Sequence, residues 1–210
     1  MESCGTRRTV PMSTSPKVRI TQTLISAWEW SFKLDDGYED FIRTLNREKK
    51  QPTKKMLDGV RFESCVNNVL DGERIDESHE WYGVVTELAD YLQGAQKQVT
   101  LFEDCVVDGQ PFLLHGVLDF LKAGVVYDTK FSTTYHLNKY LSSPQHQLYL
   151  RLVPEARRFE YLVCDGKYIY KEKYPREIVQ PIEPTIKNFM QFLKRQGLWE
   201  TYVELWKVNN

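Results

Sequence analysis

Apolar residues recur three and four apart through residue 92 and alternate with polar ones from Gln98 onward. The first period predicts helices and the second predicts strands. One helix is expected over 21–33, with Leu24, Ile25, Trp28 and Phe32 on one face and Thr21 or Thr23 as its cap. A second, over 35–50, carries Tyr38, Phe41, Ile42 and Leu45. A third, over 59–70, carries Val60, Phe62, Val66 and Val69. An acidic loop, Asp71–Glu80, precedes a helix over Trp81–Leu92 that stops near Gly94. Strands then follow at Gln98–Val107, Pro111–Leu121 and Val125–Ser132, with Asp108-Gly109 a hairpin turn. Ser143-Pro144 opens a helix running through Arg151, since proline suits a first helical turn. Strands Arg158–Cys164 and Lys167–Lys173 flank Asp165-Gly166, and 181–206 is helical with a break point at Gly197. Helices, a meander, a helix, a hairpin and a final helix make an α/β (α+β) fold: a central mixed β-sheet flanked by helices.

With 210 residues, 41% of them hydrophobic, the chain is long enough for one sizeable core. No apolar run reaches the length that spans a bilayer, so no membrane partner is expected. The opening stretch is polar and lacks the apolar segment of a secretory signal; residues 1–18 are expected to be a disordered leader and the protein cytoplasmic. Cys4, Cys65, Cys105 and Cys164 are scattered, which argues against a zinc knuckle or a disulfide framework. The net charge of −1 leaves a nucleic-acid partner open, because binding follows local patches.

Candidate chemistry concentrates in residues 116–132, GVLDFLKAGVVYDTKFS. If Ala123-Gly124 is a two-residue hairpin loop, Lys122 pairs with Val125, Phe120 with Tyr127, and Asp119 lies opposite Asp128. Opposed residues bring their Cβ atoms to roughly 5 Å on one face. Two carboxylates there repel one another among Val117, Leu121 and Val126 unless a positive group sits between them. Lys130, two residues on, points to the same face as Asp128. Two acids and a lysine on one face suit a hard divalent cation and a phosphate. Solvated, inert acids at strand ends are the competing reading.

Glu63, then Asp119, then Asp128-Thr129-Lys130, then Gln145-x-x-x-Tyr149 resembles the PD-(D/E)XK nuclease superfamily, and within it the RecB-like and lambda-exonuclease-like branch. The resemblance covers roughly residues 59–149. It implies a restriction-endonuclease-like core in a single nuclease domain over 19–210, with 19–58 as a helical N-terminal part and 59–210 as the catalytic core. It implies catalytic roles for Glu63, Asp119, Asp128, Lys130, Gln145 and Tyr149. Mg²⁺ or Mn²⁺ would be held by Asp119, Asp128, Glu63 and the main chain of Thr129, and cleavage would leave 5′-phosphates. The chain departs from the pattern in having Glu63 where RecB-like enzymes often have His, and Asp rather than the commoner Glu at 128. Nothing after Cys164 is cysteine, so the iron–sulfur cluster of some members is not expected.

The implied activity is a DNA nuclease, with an exonuclease favoured, in recombination, repair or phage DNA processing. A single-strand annealing or other recombination protein is an implied partner, and a homo-oligomer is left open. The alternatives are an endonuclease of restriction or repair type, and a non-catalytic nucleic-acid-binding or assembly subunit. Backbone phosphate contacts are assigned to Arg43, Arg47, Lys49, Lys50, Lys54, Lys55 and Arg61, with Lys139 beside Tyr135 and Tyr140 as a second surface. Gln145 near a helix start suits an anion, and Gln147 competes with it for that role. His115 shares the Asp119 face and reads as a packed histidine. His79, His136 and His146 have no ligand motif. Trp28 and Trp30 read as core.

Overall fold

The computed structural model describes residues 15–33 and 35–208. It opens on a strand absent from the sequence reading, β1 (Val18–Thr21), in which Val18 and Ile20 are fully buried. The leader expected over 1–18 is therefore corrected at its end: Val18 belongs to the sheet, and Lys17 pairs with Asp104 at 2.8 Å. The rest of that expectation, residues 1–14 with Cys4, lies outside the described residues. Thr21 ends the strand and caps helix α1 (Gln22–Trp30), its hydroxyl accepting from the Leu24 N–H. Helix α2 (Gly37–Leu45) stops short of the expected 50, and Arg47 beyond it takes a left-handed φ of 58°. Helix α3 (Lys54–Leu70) starts five residues early, because Thr53 accepts from the Met56 N–H and caps it there. The expected division between 58 and 59 thus falls inside a helix. Helix α4 (Tyr82–Leu92) matches its prediction to one residue.

Three strands follow as a meander: β2 (Gln96–Val107), β3 (Gln110–Lys122) and β4 (Val125–Phe131). Their turns, Asp108-Gly109 and Ala123-Gly124, have all four residues at positive φ, the backbone twist that two-residue hairpin loops require. Helix α5 (Pro144–Leu152) carries the chain over to β5 (Arg158–Cys164), parallel to β4, and β6 (Ile169–Pro175) returns antiparallel. Two helices close the chain, α6 (Glu183–Arg195) and α7 (Trp199–Trp206), with Gly197 between them.

The sheet is mixed, ordered β1-β3-β4-β5-β6, with β2 along the other edge of β3. Helices cover both faces. On one face α1, α2, α5, α6 and α7 enclose Phe41, Phe112, Phe159, Tyr161 and Phe189. On the other α3 and α4 pack Phe62, Val66, Val85 and Leu88 onto Phe120, Tyr127 and Leu162. No helix among the described residues is long and apolar enough to cross a membrane.

The detail that positions the site is the free edge of β3. β2 pairs along almost all of β3, while β1 pairs only with Phe112–His115 and β4 only with Phe120–Lys122. Residues 116–119 are left between them with no strand on that edge. The alternation also slips here. Leu118 faces the α5 side and Phe120 the α3 side, although they are two apart. Gln98 of β2, abreast of Asp119, has a φ of 50°.

Candidate functional site

The hairpin register is the one the turn predicts: Lys122 with Val125, Leu121 with Val126, Phe120 with Tyr127. The ladder ends one step before Asp119 and Asp128. Instead of meeting as an opposed pair, the two acids stand where β3 and β4 part. Asp119 takes over the missing main-chain contact, its Oδ2 accepting from the Thr129 N–H at 3.0 Å. Asp128 pairs onward to Tyr161 of β5 and is only 2% exposed.

Four groups converge on this opening. Lys130 Nζ lies 2.6 Å from Asp128 Oδ2, with about a third of the lysine side chain open to solvent. Gln145, 5% exposed, donates from Nε2 to Asp128 Oδ1. It is placed there by Ser143, whose hydroxyl accepts from the Gln145 N–H, and by Pro144 at the first turn of α5. Tyr149, one turn on, donates its hydroxyl to the Val117 carbonyl at 2.9 Å and so fills part of the unpaired edge. Its close approach depends on Gly116: a Cβ there would lie 2.8 Å from Tyr149 Cε1. Gln147 is excluded from the site, since its Oε1 accepts from Thr185 of α6.

Glu63 reaches the site from α3, one residue after the buried Phe62. Its Oε1 accepts from Gln98 Nε2 at 2.8 Å. Burial raises the Glu63 carboxyl above the usual range, and the Asp128 charge adds to that. Asp119 is raised well above its ordinary value by burial first and Asp128 second. For Lys130 burial opposes the charged form, but Asp128 and Asp119 outweigh it and the ammonium is stabilised. The Asp128 charge therefore acts on both Glu63 and Asp119 within one small volume, with the Lys130 ammonium among them.

Among the described residues, no three His, Cys, Asp or Glu side chains form a ready cage for a metal ion. The donor set nevertheless fits a hard cation. Asp128 Oδ2 is buried, and the partner that faces it is the Lys130 ammonium at 2.6 Å. The Asp128 charge also penalises the ionisation of Asp119, a cost that an oxygen-seeking cation removes.

The basic stretch does not form one surface. Arg43 pairs with Glu39, Lys50 with Asp40, and Arg47 lies over Trp206 and donates to the Leu205 carbonyl, all on the α2–α7 side. Arg61 pairs with Glu80 and covers Trp81. Lys49 and Lys54 are exposed. Lys55 and Lys139 come together beside Phe131 and Ser132, around a cavity of about 160 Å³. The Lys139 ammonium is disfavoured by burial and then by Lys55.

Trp28 is core, but Trp30 is 53% exposed, which corrects its assignment. His115 stacks on Phe102 at 4.6 Å and borders a cavity of about 350 Å³ with Tyr149. His146 is buried against Tyr174, His79 accepts from the Trp81 N–H, and His136 contacts the Leu137 carbonyl. Two contributors escaped the sequence reading. Gln98 orients Glu63, and the buried Glu172 accepts from the Lys139 and Tyr140 N–H groups, fixing the loop at the mouth of the site.

Among solved structures, the crystal structure of SSO0001 is similar in fold, with a TM-score of 0.53 at 13% identity over 85% of this chain and 78% of that one. No family model matches the sequence, and no curated protein does.

Proposed function

We propose that this protein is a metal-dependent DNA nuclease with a restriction-endonuclease-like core of the PD-(D/E)XK type. The observation that carries the reading is the parting of β3 and β4, which gathers Asp119, Asp128, Lys130 and Gln145 at one buried point. Acids one residue beyond a paired ladder, with an internal lysine on one and a helix-borne amide on the same one, have no evident use in stabilising a sheet.

Asp119, Asp128 and the Thr129 carbonyl would hold a divalent cation, with Glu63 completing the acidic set. When bound, that cation supplies Lewis-acid polarisation of the scissile phosphate. Lys130 then leaves Asp128 to steady the attacking water and the charge that develops on the phosphate oxygens. Gln145 keeps Asp128 oriented, and Tyr149 holds α5 against β3 so that Gln145 stays in place. In-line attack expels the 3′ oxygen and leaves a 5′-phosphate. An exonuclease is the form favoured by the resemblance to the lambda-exonuclease-like branch, a step made by analogy.

End-labelled linear duplex and closed circular DNA, each with Mg²⁺ or Mn²⁺, test the reading. Metal-dependent loss of the linear form with the circle intact is expected. Cleavage of the circle would make the protein an endonuclease. Inactivity on linear, circular and single-stranded DNA with both metals would overturn the assignment in favour of a non-catalytic binding subunit.

A further inference from the structure

A cavity of about 170 Å³ opens off the site between α1, the loop before α5 and the start of α5. Lys130 and Gln145 form its inner wall, and Glu29, Trp30, Lys33 and Lys139 its outer one. Trp30 contributes little to the core, being more than half exposed, while Trp28 two residues earlier is buried. Its ring is not idle: Lys33 Nζ sits 5.2 Å from the ring centroid and donates to Ser142 Oγ at 3.1 Å. Lys139 Nζ is anchored on the Thr134 carbonyl at 2.6 Å, so its charge is held at the rim. Glu29, half-buried, is the only carboxylate in the lining.

A flat aromatic face, ammonium groups beside hydroxyls, and one carboxylate acceptor match the three parts of a nucleotide. Bases stack on aromatic rings whatever their sequence, and lysine serves phosphate as a point charge. A carboxylate accepts from the amino and imino groups of a base edge. A bare anion site would need neither Trp30 nor Glu29.

We propose that this cavity is a nucleotide pocket, in which the base of the nucleotide next to the scissile phosphate stacks on Trp30 and meets Glu29 while its phosphate is taken by Lys33 and the neighbouring serine hydroxyls. Its place in the substrate path rests on the nuclease reading. Its capacity to bind a nucleotide does not.

Binding of deoxycytidine 5′-monophosphate, deoxycytidine and inorganic phosphate is measured by calorimetry and saturation-transfer NMR in EDTA, without added divalent ion. The full chain is compared with Trp30→Leu and Lys33→Gln, and melting curves confirm that both variants fold, as expected for exposed positions. The monophosphate should bind at least about tenfold tighter than either fragment, and Trp30→Leu should weaken it about tenfold. Lys33→Gln should erase most of the advantage over deoxycytidine. Phosphate binding as tightly as the monophosphate, affinity unmoved by both substitutions, or no binding at about 10 mM ligand would each overturn the pocket. DNA digestion is scored separately. Cleavage without monophosphate binding defeats the pocket alone, and binding without cleavage defeats the nuclease reading alone.

Discussion

Replacing Gly116 with alanine tests how the unpaired edge of β3 is held. The added Cβ would stand 2.7 Å from Leu152 Cδ1 and 2.8 Å from Tyr149 Cε1, both inside contact distance. Leu152 can turn its end away. Tyr149 cannot, because its hydroxyl is bonded to the Val117 carbonyl at 2.9 Å and its ring is buried. The strand or α5 must shift by several tenths of an ångström, and overpacking of this kind costs about 1–3 kcal/mol. For a chain of this size that lowers Tm by about 2–12 °C. Gly59→Ala is the contrasting change: it lies inside α3 with nothing within 4 Å of the added carbon, so it should stabilise by about 0.5–1 kcal/mol through helix propensity alone. Thermal and urea melts read the two signs, and DNA cleavage should fall in Gly116→Ala, because displacing Tyr149 drags Gln145 off Asp128. A Gly116→Ala protein that melts at or above wild type would refute the packing argument.

Three further outcomes are expected. Burial keeps His146 neutral, with its pKa lowered to about 4 from 6.5, so the unfolded chain takes up the proton first. Stability from this group is full above about pH 7 and falls by about 3 kcal/mol as pH drops from 6.5 towards 4; urea melts of His146→Gln should lack that slope, and an unchanged slope would discount it. Arg176 donates to the carbonyl of Leu150 in the last turn of α5 and to those of Val153 and Ala156 just past it, so Arg176→Lys, which has no planar fork, should cost about 2–3 kcal/mol in the same melts, and a neutral result would deny it that capping role. Lys130→Met frees Asp128 from its ammonium, so Mn²⁺ measured by calorimetry should bind at least as tightly as to wild type while cleavage is lost; weaker binding would mean that the lysine supports the cation rather than competing with it.

The hairpin was legible because its determinants are local. Ala123-Gly124 dictates the turn, and alternation dictates the register. Gln145 and Tyr149 were legible because helical spacing puts them on one face, and Ser143-Pro144 marks the helix start. What depends on distant partners was not. β1 has four residues and is stabilised by a parallel partner more than ninety positions away, so Val18 reads as the tail of a polar leader and Ile20 falls between that leader and the first helix. The end of the β3–β4 ladder is decided by Asp119 capping the Thr129 N–H and by Tyr149 arriving from α5, neither visible as a period. Sequence proximity suggested one basic surface, but the left-handed Arg47 and the early cap at Thr53 send the charges in three directions. Trp30 reads as core from its residue type, yet it lies two residues from Trp28, off the face of Leu24, Ile25 and Trp28, and lines a polar cavity.

The decisive measurement follows end-labelled linear duplex DNA with Mn²⁺ in wild type, Asp119→Asn and Lys130→Ala, with melting curves confirming that each protein folds. Wild type should cleave in a metal-dependent way, and both variants should lose at least about a hundredfold, the scale expected when a transition-state contact is removed. Folded variants that cleave as fast as wild type would contradict the nuclease reading of this site.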